Sequence, residues 1–126
     1  MAMKYPDPLS FITLIFNKQI ELNKKIGNDL FKIREDIIER EKFTKEYVLA
    51  MHAELTEVLD WINWKSWKKT RVEYDEKRIK ELQIELIDLL HFLVNLMILW
   101  EMTPMILEDL YLEKNKINHD RQDGGY

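Results

Sequence analysis

Glu54 and Glu57 stand three residues apart, and Glu85 and Asp88 repeat that spacing farther along the chain. On a helix, such a pair shares one face. Both pairs sit among apolar side chains: Leu55 and Val58 around the first, Leu86, Ile87, Leu89 and Leu90 around the second. An ionised carboxylate is costly to bury unpaired, and four converging between two helices also repel one another. A divalent cation relieves both difficulties. Hard oxygen donors of this kind suit Mg²⁺, with Mn²⁺ as a substitute, and waters and phosphate oxygens complete the shell at roughly 2.0–2.2 Å. A lone acid pair at this spacing is ordinarily a solvated face with salt-bridge partners. Two of them on neighbouring helices, one in the most apolar stretch of the chain, favour the metal.

Beyond Asp88 come His91 or Phe92 and then Asn95, spaced by three or four residues. Together they make a polar stripe on an otherwise apolar helix. Such a stripe faces a partner network or a cavity. A histidine alone reads as a satisfied core side chain; in line with two acids, His91 reads equally well as a pocket residue. Between the acid pairs, residues 61–71 interleave Trp61, Trp64 and Trp67 with Lys65, Lys68, Lys69 and Arg71. Lysines near a carboxylate–metal site meet the needs of a polyphosphate, because they neutralise oxygens that the metal does not reach. Tryptophans there shield the site or stack on a base. Without the acids, the same stretch would be a solvated basic loop with its tryptophans on the core.

Helices must position these residues. The chain has 126 residues, with only three Gly and three Pro, so an all-β fold with its many turns is disfavoured. One all-α domain over residues 1–126 is expected, a bundle of about four main helices. A net charge of −4 argues against nucleic acid as substrate or bulk partner. The absence of cysteine excludes disulfides, thiolate metal sites and thiol nucleophiles. No signal peptide is recognisable, and a cytoplasmic setting is expected. The apolar stretch from Leu86 to Trp100 is shorter than a bilayer span and is interrupted by Asp88, His91 and Asn95, so no membrane role is expected.

Helical periodicity runs from Pro8 through Phe11, Ile15, Leu22, Ile26, Leu30, Ile33 and Ile37, with Gly27 inside the run. Thr44 reads as the N-cap of a second helix ending near Trp64. A third helix is expected from about Glu76 to Glu101. Thr103-Pro104 then starts a fourth that reaches about Asn118. Residues 119–126, with Gly124-Gly125, read as an irregular tail.

The two acid pairs, separated by residues 58–84, resemble the signature of the all-α nucleoside triphosphate pyrophosphatases, the superfamily of the MazG-like proteins and the dimeric dUTPases. Further segments are similar to the dimeric dUTPase branch. These are Trp64-Lys65-Ser66-Trp67-Lys68, Asp88-Leu89-Leu90-His91-Phe92, the run from Tyr111 to Tyr126, and an early helix with Gln19 and Asn23. The resemblance implies a helical core around a Mg²⁺ site, a homodimer, and hydrolysis of dUTP, often also dUDP, to dUMP. It makes Glu54, Glu57, Glu85 and Asp88 the metal ligands and catalytic acids, one of which orients the attacking water. Gln19 and Asn23 would read uracil and Trp67 would close the pocket, with His91 and Phe92 beside it. Lys65 and Lys68 would meet phosphates, and Lys114, Asn118, Arg121 and Tyr126 would add a far grip, in cis or across the dimer, on a segment from Lys114 to Tyr126 that is mobile until nucleotide and Mg²⁺ order it. The resemblance favours water attack at the β-phosphorus; the residues themselves do not choose the phosphorus. Two alternatives stay open. One keeps fold and metal but changes the base, as a house-cleaning pyrophosphatase or a dCTP hydrolase. The other is a non-catalytic helical interaction protein.

Overall fold

A computed structural model of the chain describes residues 8–125, and among them every regular element is a helix. These are α1 (Pro8–Ile26), α2 (Leu30–Ile33), α3 (Ile37–Asp60), α4 (Glu76–Leu99) and α5 (Pro104–Asp123). Gly27 ends α1. Its φ of +102° is left-handed backbone that a side chain would strain. The amide of Gly27 donates to the Lys24 carbonyl and that of Asn28 to the Asn23 carbonyl, a Schellman closure.

The periodicity that ran past Gly27 is therefore carried by three helices. Asp36, not Thr44, is the N-cap of α3, its carboxylate accepting from the Ile38 amide. Thr44 lies inside the helix. Its hydroxyl donates to the Arg40 carbonyl at 2.7 Å and accepts from the Trp100 indole N–H at 3.0 Å. A threonine that bonds back into its own helix carries the same composition signal as a cap. Thr103 caps α5 as expected, with Pro104 in the first turn. The expected irregular tail is corrected by α5 itself, which continues to Asp123 with a Lys116–Asp120 ion pair along its side.

α3 and α4 form the main pair and run antiparallel. Successive contacts join Thr44 to Trp100, Tyr47 to Phe92, Glu54 to Glu85, and Trp61 to Arg78. The buried core is Phe16, Leu30, Val94, Ile98 and Leu99, so it joins α1 and α2 to the C-terminal third of α4. α5 packs on α1. The acid pairs lie beyond this core, where α3 and α4 cover only each other.

Within α4 only Val94, Asn95, Ile98 and Leu99 are buried, while Leu86, Ile87 and Leu93 are exposed. By length and composition alone, α4 is apolar enough to cross a membrane. Its carboxylates at Glu85 and Asp88, however, face those of α3.

The C-terminal ends of α4 and α3 are closed by charged side chains. Arg34 donates to the Ile98 carbonyl at 2.9 Å, and Arg78 to the Trp61 carbonyl at 2.9 Å. Cations there satisfy terminal carbonyls and oppose the helix dipole. α4 ends in a second Schellman closure, with Glu101 at φ +65° in the position that glycine favours. Left-handed backbone costs a side-chain-bearing residue roughly 1–2 kcal/mol. The Arg40–Glu101 pair at 3.4 Å, with the glutamate two-thirds exposed, offsets little of that. Glu101→Gly is therefore expected to raise the thermal midpoint by a few degrees, about 0.5–1 kcal/mol after the added unfolded-chain entropy. Thermal unfolding followed by circular dichroism checks it; a lowered midpoint would show that the ion pair outweighs the strain.

Candidate active site

Heptad geometry along the antiparallel pair brings the acids together. Glu54 on α3 and Glu85 and Asp88 on α4 each offer a carboxylate oxygen, and these oxygens lie within 4.8 Å of one another. All three residues are half-buried. The Oε2 atoms of Glu54 and Glu85 are shielded from solvent and accept no hydrogen bond. Such orphaned oxygens are destabilising on their own. Burial, then the neighbouring Glu57 and Glu54 carboxyls, push Glu85 up to about 7. Burial also raises Glu54, with Glu57 and Asp88 adding to the shift. The donors are all hard oxygens, two lack partners, and their mutual repulsion needs a counter-charge. That set fits a divalent cation. Glu57 stands one turn farther along α3, exposed and outside the tight trio, yet close enough to act on both glutamates.

On the core side of the acids, α4 continues inward as Phe92 and the buried Asn95. The Phe92 ring lies 6.0 Å from that of Tyr47. His91 is exposed, so of the two residues left open for this stripe Phe92 is the one turned inward. α1 meets α4 here through Gln19 and Asn23, both buried and one turn apart. Asn23 donates one amide hydrogen bond to Asn95 Oδ1 and one to the Gln19 carbonyl, each 2.8 Å. The amide hydrogens of Asn23 are thus engaged, and its carbonyl oxygen is what it can still offer.

On the other side, residues 61–75 form a loop around a cleft of about 480 Å³ lined by Lys65, Lys68, Lys69, Arg71 and Arg78 among others. Asn63 pins the loop, exchanging hydrogen bonds of 2.7 and 2.8 Å with Val72 and donating its backbone amide to Tyr74 Oη at 3.0 Å. Trp67 is exposed and meets Trp64 edge-on at 5.8 Å, and Lys65 lies over the Trp64 ring. The lining of this cleft begins at Leu59 and Asp60, within one turn of Glu57.

The tail residues are not brought to the acids. Lys114, Asn118 and Arg121 share one exposed stripe of α5, which packs on α1. Tyr126 lies outside the described residues. Tyr47, Asn28 and Arg78 went unnoticed in the sequence. Tyr47 was findable, since it precedes Glu54 by seven residues on the same expected helix and so shares its face. Arg78 acts on the far helix end, which no local spacing signals.

A family model described as dUTPase matches residues 11–106. This chain belongs to the dUTPase family. The match includes all four acids, Gln19, Asn23 and the basic loop, and leaves Lys114, Asn118, Arg121 and Tyr126 outside it. The chain is also similar to the dCTP pyrophosphatase of Enterobacteria phage T4. It is 39% identical there over 44% of this chain, and the match spans only 37% of the phage protein. No solved structure matches this dUTPase-family chain.

Proposed function

We propose that this chain hydrolyses dUTP, and dUDP, to dUMP in a Mg²⁺-dependent reaction. The observation that carries the reading is an order along α3 and α4: buried amides and an aromatic ring, then the carboxylate trio, then a cluster of five cations. A nucleoside triphosphate has the same order of base, inner phosphates and outer phosphates. Bound Mg²⁺ supplies charge neutralisation and Lewis acidity at the phosphates. Glu54, Glu85 and Asp88 hold it. Glu57, free at the rim, orients the attacking water and accepts its proton. Lys65 and Lys68, with Arg71, take up charge on the leaving phosphate oxygens. The Asn23 carbonyl oxygen accepts from the N3–H of uracil.

A second reading exchanges uracil for cytosine. The phage relative, a dCTP pyrophosphatase, favours it, and an amide acceptor also suits the amino group of cytosine. A turnover panel of dUTP, dUDP, dCTP, dTTP and UTP with Mg²⁺ tests both. The account expects dUTP to be consumed fastest and dUMP to be the product. Preference for dCTP would establish the second reading, and no turnover of any would contradict both.

The same reading includes a homodimer. Among the described residues only five hydrophobic side chains are buried, whereas Leu49, Leu55, Leu86, Ile87 and Leu93 leave apolar faces of α3 and α4 open. Exposed apolar helix faces of this kind are what a second copy covers. Light scattering at micromolar concentration is expected to return about twice 15.4 kDa; a monomer mass would contradict the dimer.

A further inference from the structure

The basic loop is held closed by side chains rather than by its own backbone. Asn63 Nδ2 donates to the Val72 carbonyl at 2.7 Å, and Asn63 Oδ1 accepts from the Val72 amide at 2.8 Å. One side chain thereby imitates a rung of a β-ladder. The Asn63 backbone amide donates to Tyr74 Oη at 3.0 Å. Arg78 draws the same ends together from outside. Its backbone amide donates to the Asp75 carboxylate and its guanidinium to the Trp61 carbonyl. Between Asn63 and Val72 the only backbone hydrogen bond among the described residues is a single turn, from the Lys68 amide to the Lys65 carbonyl.

The charges of this loop work against its closure. Lys65, Lys68, Lys69 and Arg71 crowd into residues 65–71 with no acid among them, and all four are exposed. Among the described residues, no ion pair engages any of them. Like charges this close repel, which favours a spread loop over a gathered one. Asn63 opposes that spreading. A bound polyphosphate removes the repulsion, because it neutralises the cations. The clasp therefore matters most in the free protein and much less once the anion is in place.

We propose that Asn63 is a positioning residue for the outer phosphates: by clasping Val72 it keeps the four cations gathered before the anion arrives. This rests on the nucleotide reading above and deepens it. Hydrolysis of dUTP to dUMP by one water releases the two outer phosphates as pyrophosphate, and these are the groups that the loop would meet. Preorganisation of this kind lowers the cost of binding. Its loss falls on affinity and not on the chemical step.

Inorganic pyrophosphate with Mg²⁺ is the probe, and calorimetry on wild type and Asn63→Ala reads its affinity. The substitution removes both bonds to Val72 and is expected to weaken pyrophosphate about tenfold at ~0.05 M salt. At ~0.5 M salt the ratio is expected to fall below about threefold, because screening relieves the repulsion that the clasp opposes. KM for dUTP is expected to rise in parallel, while kcat and dUMP affinity stay within about twofold. Equal pyrophosphate affinity for the two proteins, a ratio that salt does not change, or an equal loss of dUMP affinity would overturn the proposal. If Asn63→Ala does not fold, Tyr74→Phe decides. It keeps the ring, removes the acceptor of the Asn63 amide, and is expected to weaken pyrophosphate about threefold with the same salt dependence; unchanged affinity would overturn the proposal. A wild type that binds no pyrophosphate overturns it as well. A wild type that binds pyrophosphate but hydrolyses no nucleotide defeats the functional reading alone, and the Asn63 comparison still decides the clasp.

Discussion

Glu54→Gln, Glu85→Gln and Asp88→Asn are each expected to lower turnover roughly 10²-fold or more while the helices remain. Their oxygens lie within 4.8 Å of one another, so each substitution removes one of three converging charges. No other acid among the described residues joins that trio. Glu57→Gln is expected to act as strongly on turnover but to leave metal affinity closer to wild type, since Glu57 stands outside the trio. Without metal, Glu85→Gln is expected to be more stable than wild type at pH 8, because it removes a carboxylate that burial and two neighbours hold up to about 7. Steady-state kinetics together with thermal unfolding checks both halves. Near wild-type turnover in any two of the four variants would contradict the assignment.

Magnesium is expected to stabilise the protein strongly at pH 8 and weakly at pH 5.5. Glu85 titrates near 7 in the fold against an ordinary 4.5, and Glu54 is shifted in the same direction. Between those values the folded chain binds more protons than the unfolded one. The metal-free protein therefore loses stability as pH rises through this window, and the loss levels off above about 7. Protons and the cation compete for the same oxygens. At about 100 times its dissociation constant a ligand contributes about 2.7 kcal/mol, roughly 10 °C in thermal midpoint for a chain of this size. A midpoint that climbs from pH 5 to 7 without metal, or an equal Mg²⁺ shift at both pH values, would contradict the coupling between acids and metal.

What could be read in the sequence was whatever short spacing encodes. The acid pairs announce themselves because three residues on a helix make a face, although their apolar neighbours foretell burial for only Glu54, Glu85 and Asp88, which are half-buried, and not for the exposed Glu57. Thr103-Pro104 announces a helix start because two local signals agree. Thr44 misled because a hydroxyl that bonds back to Arg40 looks the same in sequence as one that caps. The persistence of α5 to Asp123 was hidden by a polar composition that suits either a solvated helix or a frayed end. The partnership of Asn23 with Asn95 joins residues far apart in the chain, and only the packing of α1 on α4 reveals it. The basic cleft depends on Asn63 holding Val72 and on Arg78 capping α3, contacts that composition does not record.

The most direct test of the account is the binding isotherm of Mn²⁺ at pH 8 to wild type and to Glu85→Gln, with Mg²⁺ as competitor. The account predicts saturable binding to wild type that Mg²⁺ displaces, and affinity at least about tenfold weaker once Glu85 has lost its charge. No saturable binding to wild type, or the same isotherm for both proteins, would contradict the claim that Glu54, Glu85 and Asp88 form a divalent-cation site.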